Sequence, residues 1–334
     1  MRYLLNRLLW LPVVMWAVAT LTFIALRIVP GNPIESVASQ ILDPEQLART
    51  QALWGLDRPI WEQYGLFMGD LVRGDLGVSM SSGIPLTRLM FERMPPTIEL
   101  AFLALLGSSF IGVTVGVLSV VSRNRILEYI VRFLTTLSLS VPIFWVGTLL
   151  ILVFAVNLDL FPPGSRINSR IPYQTITNFM LIDTVITGNW EALRSYLLHI
   201  TLPALSISLT SAGFVARLTR SSMLEIMGAS YIQTARSKGL SEGRVTWWHA
   251  FRNALLPIIT LQGLLFGTLL GGAVITEVVF TLPGMGRTLL DGILKRDYPV
   301  VQGAAIYVAL VYVLVNLLVD LLYYVADPRL RQTR

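Results

Sequence analysis

The chain has 334 residues, 54% of them hydrophobic and only 14% charged, whereas a soluble domain carries about a quarter charged residues, so the composition is that of a membrane protein. Its formal charge of +6 is spread between apolar runs and interleaved with acids, without the basic stripe that nucleic acid requires. Cysteine is absent, which removes disulfides, thiolate metal sites and cysteine nucleophiles.

Crossing a bilayer takes roughly 20 mostly apolar helical residues at about 1.5 Å each, and six stretches meet that requirement. They are Leu8 to Leu26, Thr97 to Val121, Phe133 to Asn157, Ile200 to Val215, Pro257 to Phe280 and Pro299 to Ala326. Pro142 predicts a kink in the third, and Ser206, Ser208, Thr210 and Ser211 dilute the fourth. The start also fits a cleaved secretory signal, with Arg2, Arg7 and an Ala17-Val18-Ala19 triplet. Against that reading, the apolar run continues through Leu21, Phe23, Ile24 and Leu26 to spanning length.

Positive residues stay on the cytoplasmic side. An N-terminus inside the cell gathers Arg2, Arg7, Arg123, Arg125, Arg132, Arg217, Arg220, Arg236, Lys238, Arg244, Arg252, Arg329, Arg331 and Arg334 there. Only Glu128, Glu225, Glu242 and Asp327 oppose them. The expected fold class is therefore an all-α integral membrane protein with about six transmembrane helices and both termini in the cytoplasm. Residues 1–28 form a tail and the first helix, 29–96 an external segment, 97–326 the membrane core and 327–334 a cytoplasmic tail. The external segment, with turns at Pro30-Gly31-Asn32-Pro33 and Gly74-Asp75-Leu76-Gly77, is too long for a hairpin loop and forms a cap of its own. A second external segment, Leu158 to His199, opens with the turn Phe161-Pro162-Pro163-Gly164.

Within the core, residues 219–256 form a cytoplasmic loop that is too charged to cross a membrane yet is patterned like ordered structure. Tyr231, Ala235 and Lys238 fall at i, i+4 and i+7, and Gly239 stands where a left-handed helix stop belongs. Ser241 can cap a second helix with Glu242 in its first turn. That helix carries Trp247, Trp248 and Phe251 before Pro257 begins the next span. Chemistry alone leaves two readings level: an interfacial loop anchored to lipid headgroups, or a docking knob for a cytoplasmic partner.

The loop resembles the EAA loop of ABC importer permeases, in the version of the dipeptide, oligopeptide and nickel group. Tyr231-Ile232-Gln233-Thr234-Ala235-Arg236-Ser237-Lys238-Gly239 and His249-Ala250-Phe251-Arg252-Asn253-Ala254-Leu255-Leu256-Pro257 carry the likeness. Further matching words are Pro30 to Pro33, Gly55 to Pro59, Gly74 to Gly77 with Ser79, Ala216-Arg217 with Thr219-Arg220-Ser221, Pro283 to Gly286, Asp297-Tyr298-Pro299 and Asn316 to Arg329. Gln233-Thr234-Ala235 departs from the general Glu-Ala-Ala pattern, so no carboxylate role falls on Gln233. The resemblance implies a type I ABC importer permease fold in the inner membrane, with a related second permease, two ATP-binding subunits and an extracytoplasmic substrate-binding protein as partners. It also implies a coupling helix at about Ser230 to Lys238, where Tyr231, Thr234, Ala235, Arg236, Lys238 and Gly239 would meet an ATPase subunit. ATP and Mg would be held by those subunits, so this chain needs no cofactor and no catalytic residue.

The residues agree with that division of labour, because the phosphate-binding G-x-x-x-x-G-K-[ST] loop is missing. The two lysines, Lys238 and Lys295, do not follow a glycine. An ion-driven transporter would place ionisable residues at midplane or show paired broken helices; a membrane hydrolase would pair a nucleophile with a base in one layer. Neither pattern is present. His199 and His249 fall on opposite sides of the membrane and read as polar contacts, which excludes a two-histidine metal site. Asn316 and Asp320, four apart on the last span, face protein or water, more readily as a packing pair than as pathway residues. Glu277, near the outer end of the fifth span, reads as pathway lining or, more readily, as a gate or interface contact. Pro283-Gly284-Met285-Gly286 reads as a tight external turn that packs on the partner or receives the binding protein.

Overall fold

Apolar runs at helical spacing produce helices throughout the computed structural model, which describes residues 2–28, 45, 51–52, 54–122 and 125–326. Pro30 to Pro33 and the tail from Asp327 lie outside the described residues. In chain order the helices are α1 (Arg2–Ile28), α2 (Ile60–Val72), α3 (Leu86–Val121), α4 (Arg125–Ser140) and α5 (Ile143–Leu150). They continue with α6 (Met180–Ile186), α7 (Trp190–Met227), α8 (Ser230–Ser237), α9 (Glu242–Arg244), α10 (Arg252–Gly272), α11 (Val274–Val279), α12 (Met285–Leu294) and α13 (Tyr298–Ala326). Among the described residues five helices are long and apolar enough to cross a membrane, and one bent pair makes a sixth.

The boundaries depart from expectation in three places, and the kink expected at Pro142 is present. α3 starts at Leu86 and runs through Pro95 and Pro96, because Leu86, Leu89, Met90 and Met94 bury a stripe at i, i+3 and i+4 spacing that holds the turn together despite the missing N–H groups. α7 spans 38 residues, about 57 Å at 1.5 Å per residue, well beyond a hydrocarbon core of about 30 Å. The third span is two arms bent by 106°: Pro142 stands before the second arm with extended backbone and offers no N–H to continue the first. Finally, Pro257 lies inside a helix rather than opening one. A wide turn over Val245–Phe251 joins α9 to α10, so Glu242 to Gly271 is one continuous span.

The chain divides into two compact units, Met1–Thr97 with Pro283–Leu317 and Ile98–Leu282 with Leu318–Arg334. In the first, Phe23 of α1 packs on the rings of Tyr64 and Phe67 of α2 at 5.1 and 5.7 Å. Arg27 donates to Gln63 Oε1 at 2.7 Å, and the hydroxyls of Thr20 and Tyr64 meet at 2.8 Å. In the second, small residues set helix spacing. Gly107, Gly112 and Gly116 of α3 face Ser208, Val215 and Thr219 of α7 so closely that a Cβ at Gly112 would lie 2.5 Å from that of Val215. Ser208 Oγ crosses this seam to donate to the Ala104 carbonyl at 3.1 Å. Gly213 of α7 likewise leaves room for Ser138 and Thr135 of α4.

Candidate functional site

α8 is fixed by two side chains. Ile232 and Ala235, three apart and so on one face, are buried in a cluster with Val117, Val215, Met223, Val245, Ala250, Ala254 and Ile258. The other face is open: Tyr231, Thr234, Arg236 and Lys238 are exposed. The stripe of Tyr231, Ala235 and Lys238 therefore splits, since only its middle member is buried and Ile232 is the second anchor.

The helix ends as its sequence dictates. Gly239 has φ +78°, a left-handed conformation that costs other residues about 1–2 kcal/mol. Its N–H donates to the Arg236 carbonyl at 2.9 Å, and that of Leu240 reaches back to Ala235 at 3.4 Å, satisfying carbonyls the helix leaves open. Ser241 occupies the position before α9 but makes no side-chain cap bond. Glu242 turns instead to Arg236, accepting from Nε at 2.8 Å and from Nη2 at 3.2 Å. Solvent limits such an exposed pair to under about 1 kcal/mol, but its two-pronged geometry holds α8 against the start of the next helix. On the same side, Asn253 Nδ2 donates to the Tyr231 hydroxyl at 3.2 Å and to the His249 carbonyl at 2.7 Å. Trp247 and Trp248 are exposed beside it, with Arg252 over the Trp248 ring at 5.4 Å. The result is a short rigid knob presenting a phenol, a hydroxyl and two cations to water.

The other candidate residues lie apart from this knob. Glu277 sits in α11, beyond the helix break at Ala273, and is buried within its unit. Asn316 is half-buried on α13, and the side chain of Asp320 lies outside the described residues. His199 is buried, its Nδ1 donating to the Ser195 carbonyl at 2.6 Å, while His249 is half-buried.

Two polar clusters went unread in the sequence. Asp297, 1% exposed, accepts from the Ser79 and Ser81 hydroxyls at 2.7 and 2.9 Å and from the Ser81 and Met80 amides at 2.9 and 3.1 Å. In the same unit the N–H of Met285 donates to Thr97 Oγ1 at 2.8 Å. Three of the matching words, Gly74 to Ser79, Pro283 to Gly286 and Asp297 to Pro299, thus belong to one folded unit. The second cluster centres on Glu99, which accepts from Arg166 Nη2 at 2.8 Å and from the Leu181 amide at 2.8 Å. A carboxylate inside an apolar run calls for a buried partner, and that signal was present at Glu99.

Residues 109–332 match the family described as the binding-protein-dependent transport system inner membrane component, and residues 1–101 match the N-terminal region of such membrane components. The chain belongs to this family. Among relatives of this permease family, the dipeptide transport system permease protein DppB of Escherichia coli strain K12 is 42% identical over 321 residues, 95% of each chain. The protein of the same description from Alkalihalophilus pseudofirmus is 38% identical over 329 residues, covering 98% of this chain and 99% of that one. An inward-facing structure of the MetNI methionine ABC transporter superposes with TM-score 0.55 at 16% identity, over 72% of this chain and 96% of that one. The fold is that of a type I ABC importer permease, and the protein is a multi-pass component of the inner membrane.

Proposed function

We propose that this chain is the permease of an ATP-driven importer of short peptides and that α8 is the helix through which ATP hydrolysis moves it. Identity of 42% and 38% to dipeptide permeases, over nearly their full length, supports the substrate class. The anchored geometry of α8 carries the coupling role: two buried side chains tie it to the cluster at the ends of α7 and α10, so a push on its open face is passed to two spanning helices as packed bodies. Tyr231, Thr234, Arg236 and Lys238 form the contact surface, Ala235 is an anchor and Gly239 sets the exit angle. The ATP-binding subunits, two per complex, hold ATP and Mg; a related but different permease completes the pathway. An external binding protein delivers the peptide to the outer surface, where a polar cavity of about 400 Å³ beside Asp297 is lined by Arg93, Arg287 and Lys295. Both termini lie in the cytoplasm, which puts α8 on the ATPase side. Glu277, buried in α11, and Asn316, half-buried on α13, are candidate pathway or packing residues.

The test is uptake of a labelled dipeptide into vesicles holding the purified complex, with binding protein outside and ATP inside. Uptake that stops when the ATP-binding subunits are left out is the expected result. Uptake driven by a proton gradient alone, without ATP, would sink the reading.

A further inference from the structure

Two cavities in the second unit adjoin one another and have opposite chemistry. The larger, about 420 Å³, is walled by apolar side chains of α3, α4, α5 and α7, among them Leu134, Trp145 and Leu209. The smaller, about 200 Å³, is lined by Arg132, Arg217 and Arg220. Val131, Thr135 and Ala216 line both, so the apolar space opens beside a cluster of guanidinium groups.

The polar atoms in the larger cavity offer a ligand little. Thr135 donates to the Arg132 carbonyl, Ser138 to the Thr135 carbonyl and Thr210 to the Ser206 carbonyl, which leaves a hydrocarbon wall. A peptide entering it would strand its own N–H and C=O groups at a cost of several kcal/mol. The basic end is short of negative charge. Glu128 accepts from Arg220 at 2.6 Å and from Arg132 at 3.0 Å, and its one charge is divided between two cations. Arg217 is exposed and has no carboxylate within ion-pair distance among the described residues. Guanidinium groups in such a cluster match phosphate oxygens in pairs.

We propose that the two cavities together hold one anionic phospholipid, its acyl chain in the apolar compartment and its phosphate against Arg132, Arg217 and Arg220. The 106° bend at Pro142 opens the wall that the chain occupies, since Leu134 and Trp145 stand on its two arms. The head group lies at the end of α7 nearer α8, the cytoplasmic leaflet in the orientation proposed above. A membrane-facing groove rather than the peptide route is thus assigned to this face.

The experiment uses the purified complex in vesicles containing phosphatidylglycerol with a photoactivatable diazirine on one acyl chain. Labelled peptides are mapped by mass spectrometry. Labelling of the segments holding Leu134, Trp145 and Leu209 is expected, competed by unlabelled phosphatidylglycerol and not by phosphatidylcholine. Arg217→Gln, at an exposed position without an ion pair among the described residues, should reduce that labelling about five-fold and leave labelling elsewhere unchanged. Equal labelling by a phosphatidylcholine probe, or no effect of Arg217→Gln, overturns the proposal. So does disulfide cross-linking of a Leu134→Cys variant to single cysteines in the neighbouring permease, which would make the groove a subunit interface. Labelling reads the lipid directly and does not depend on which substrate the importer carries.

Discussion

The carboxylate of Asp297 accepts the Ser79 hydroxyl at 2.7 Å across 218 residues of chain. With Ser81 and two backbone amides it closes the loop before α3 onto the start of α13. Asp297→Ala would leave these donors enclosed without an acceptor, which costs about 2 kcal/mol or more. Melting of the purified complex should drop clearly for Asp297→Ala and less for Asp297→Asn, which keeps one acceptor oxygen. Ser79→Ala combined with Asp297→Ala should cost less than the sum of the two, because they remove one shared contact. Strict additivity would contradict the bond.

The seam between α3 and α7 predicts a sharp size limit. At Gly112 a Cβ would also lie 2.9 Å from the Ala212 carbonyl oxygen, a backbone atom that cannot swing aside. Gly112→Leu should therefore destabilise by about 1–3 kcal/mol or more, seen as a lower membrane level and a lower melting midpoint. Gly65→Ala on α2, where nothing lies within 4 Å, is the neutral comparison. Equal behaviour of the two variants would mean that the helices are not packed this closely.

Helices were legible because apolar runs of spanning length have few other fates, whereas their ends were not. Beyond Val215, α7 continues with Arg217, Leu224 and Glu225 exposed and Thr219, Ser222 and Met223 buried, so hydropathy falls while the helical pattern persists. Pro142 announced an interruption, but the size of the bend depends on what packs against each arm. At α8 the glycine stop was readable from local chemistry, while the choice of Ile232 over Tyr231 as anchor depends on a cluster that includes Val117 and Ile258, which are distant in sequence. Asp297 and Ser79 lack any local signal of their pairing, since long-range hydrogen bonds leave no periodicity.

Acid should reveal the hold on Asp183. Burial pushes its carboxyl up, but the Thr177 hydroxyl and the amides of Thr177, Ile176 and Asn178 outweigh it and keep the group below its ordinary value. A folded value under the unfolded one, about 3.9, means its stabilisation is complete above that pH and is lost as pH falls through the folded value. Wild type should melt above Asp183→Asn at neutral pH, and the gap should close below about pH 4. A gap that widens with acid would reverse the sign.

Topology can be read with single cysteines, since the native chain has none. Ser165 and Ser241 are both exposed. In intact cells an impermeant maleimide should reach Ser165→Cys, and it should reach Ser241→Cys only after the membrane is opened. A consistent reversal at both sites would place α8 outside and remove its access to any ATPase.

Gly239 gives the decisive test of coupling, because it separates backbone geometry from charge. Valine there meets no neighbour, as nothing lies within 4 Å of its would-be Cβ. The cost is the φ of +78°, which a β-branched residue tolerates poorly, by about 1–2 kcal/mol or more. Relief of that strain re-aims the chain between α8 and α9 while the spanning helices keep their contacts. Gly239→Val should therefore insert and bind the external protein normally, yet lose ATPase co-purification and dipeptide uptake. Gly243→Ala, four residues on and without a positive φ or a near neighbour, should transport as wild type. Charge reversal at Arg236 should fall between them, since its exposed pair with Glu242 contributes little. Wild-type uptake by Gly239→Val with its ATPases still bound would reduce α8 to a headgroup anchor.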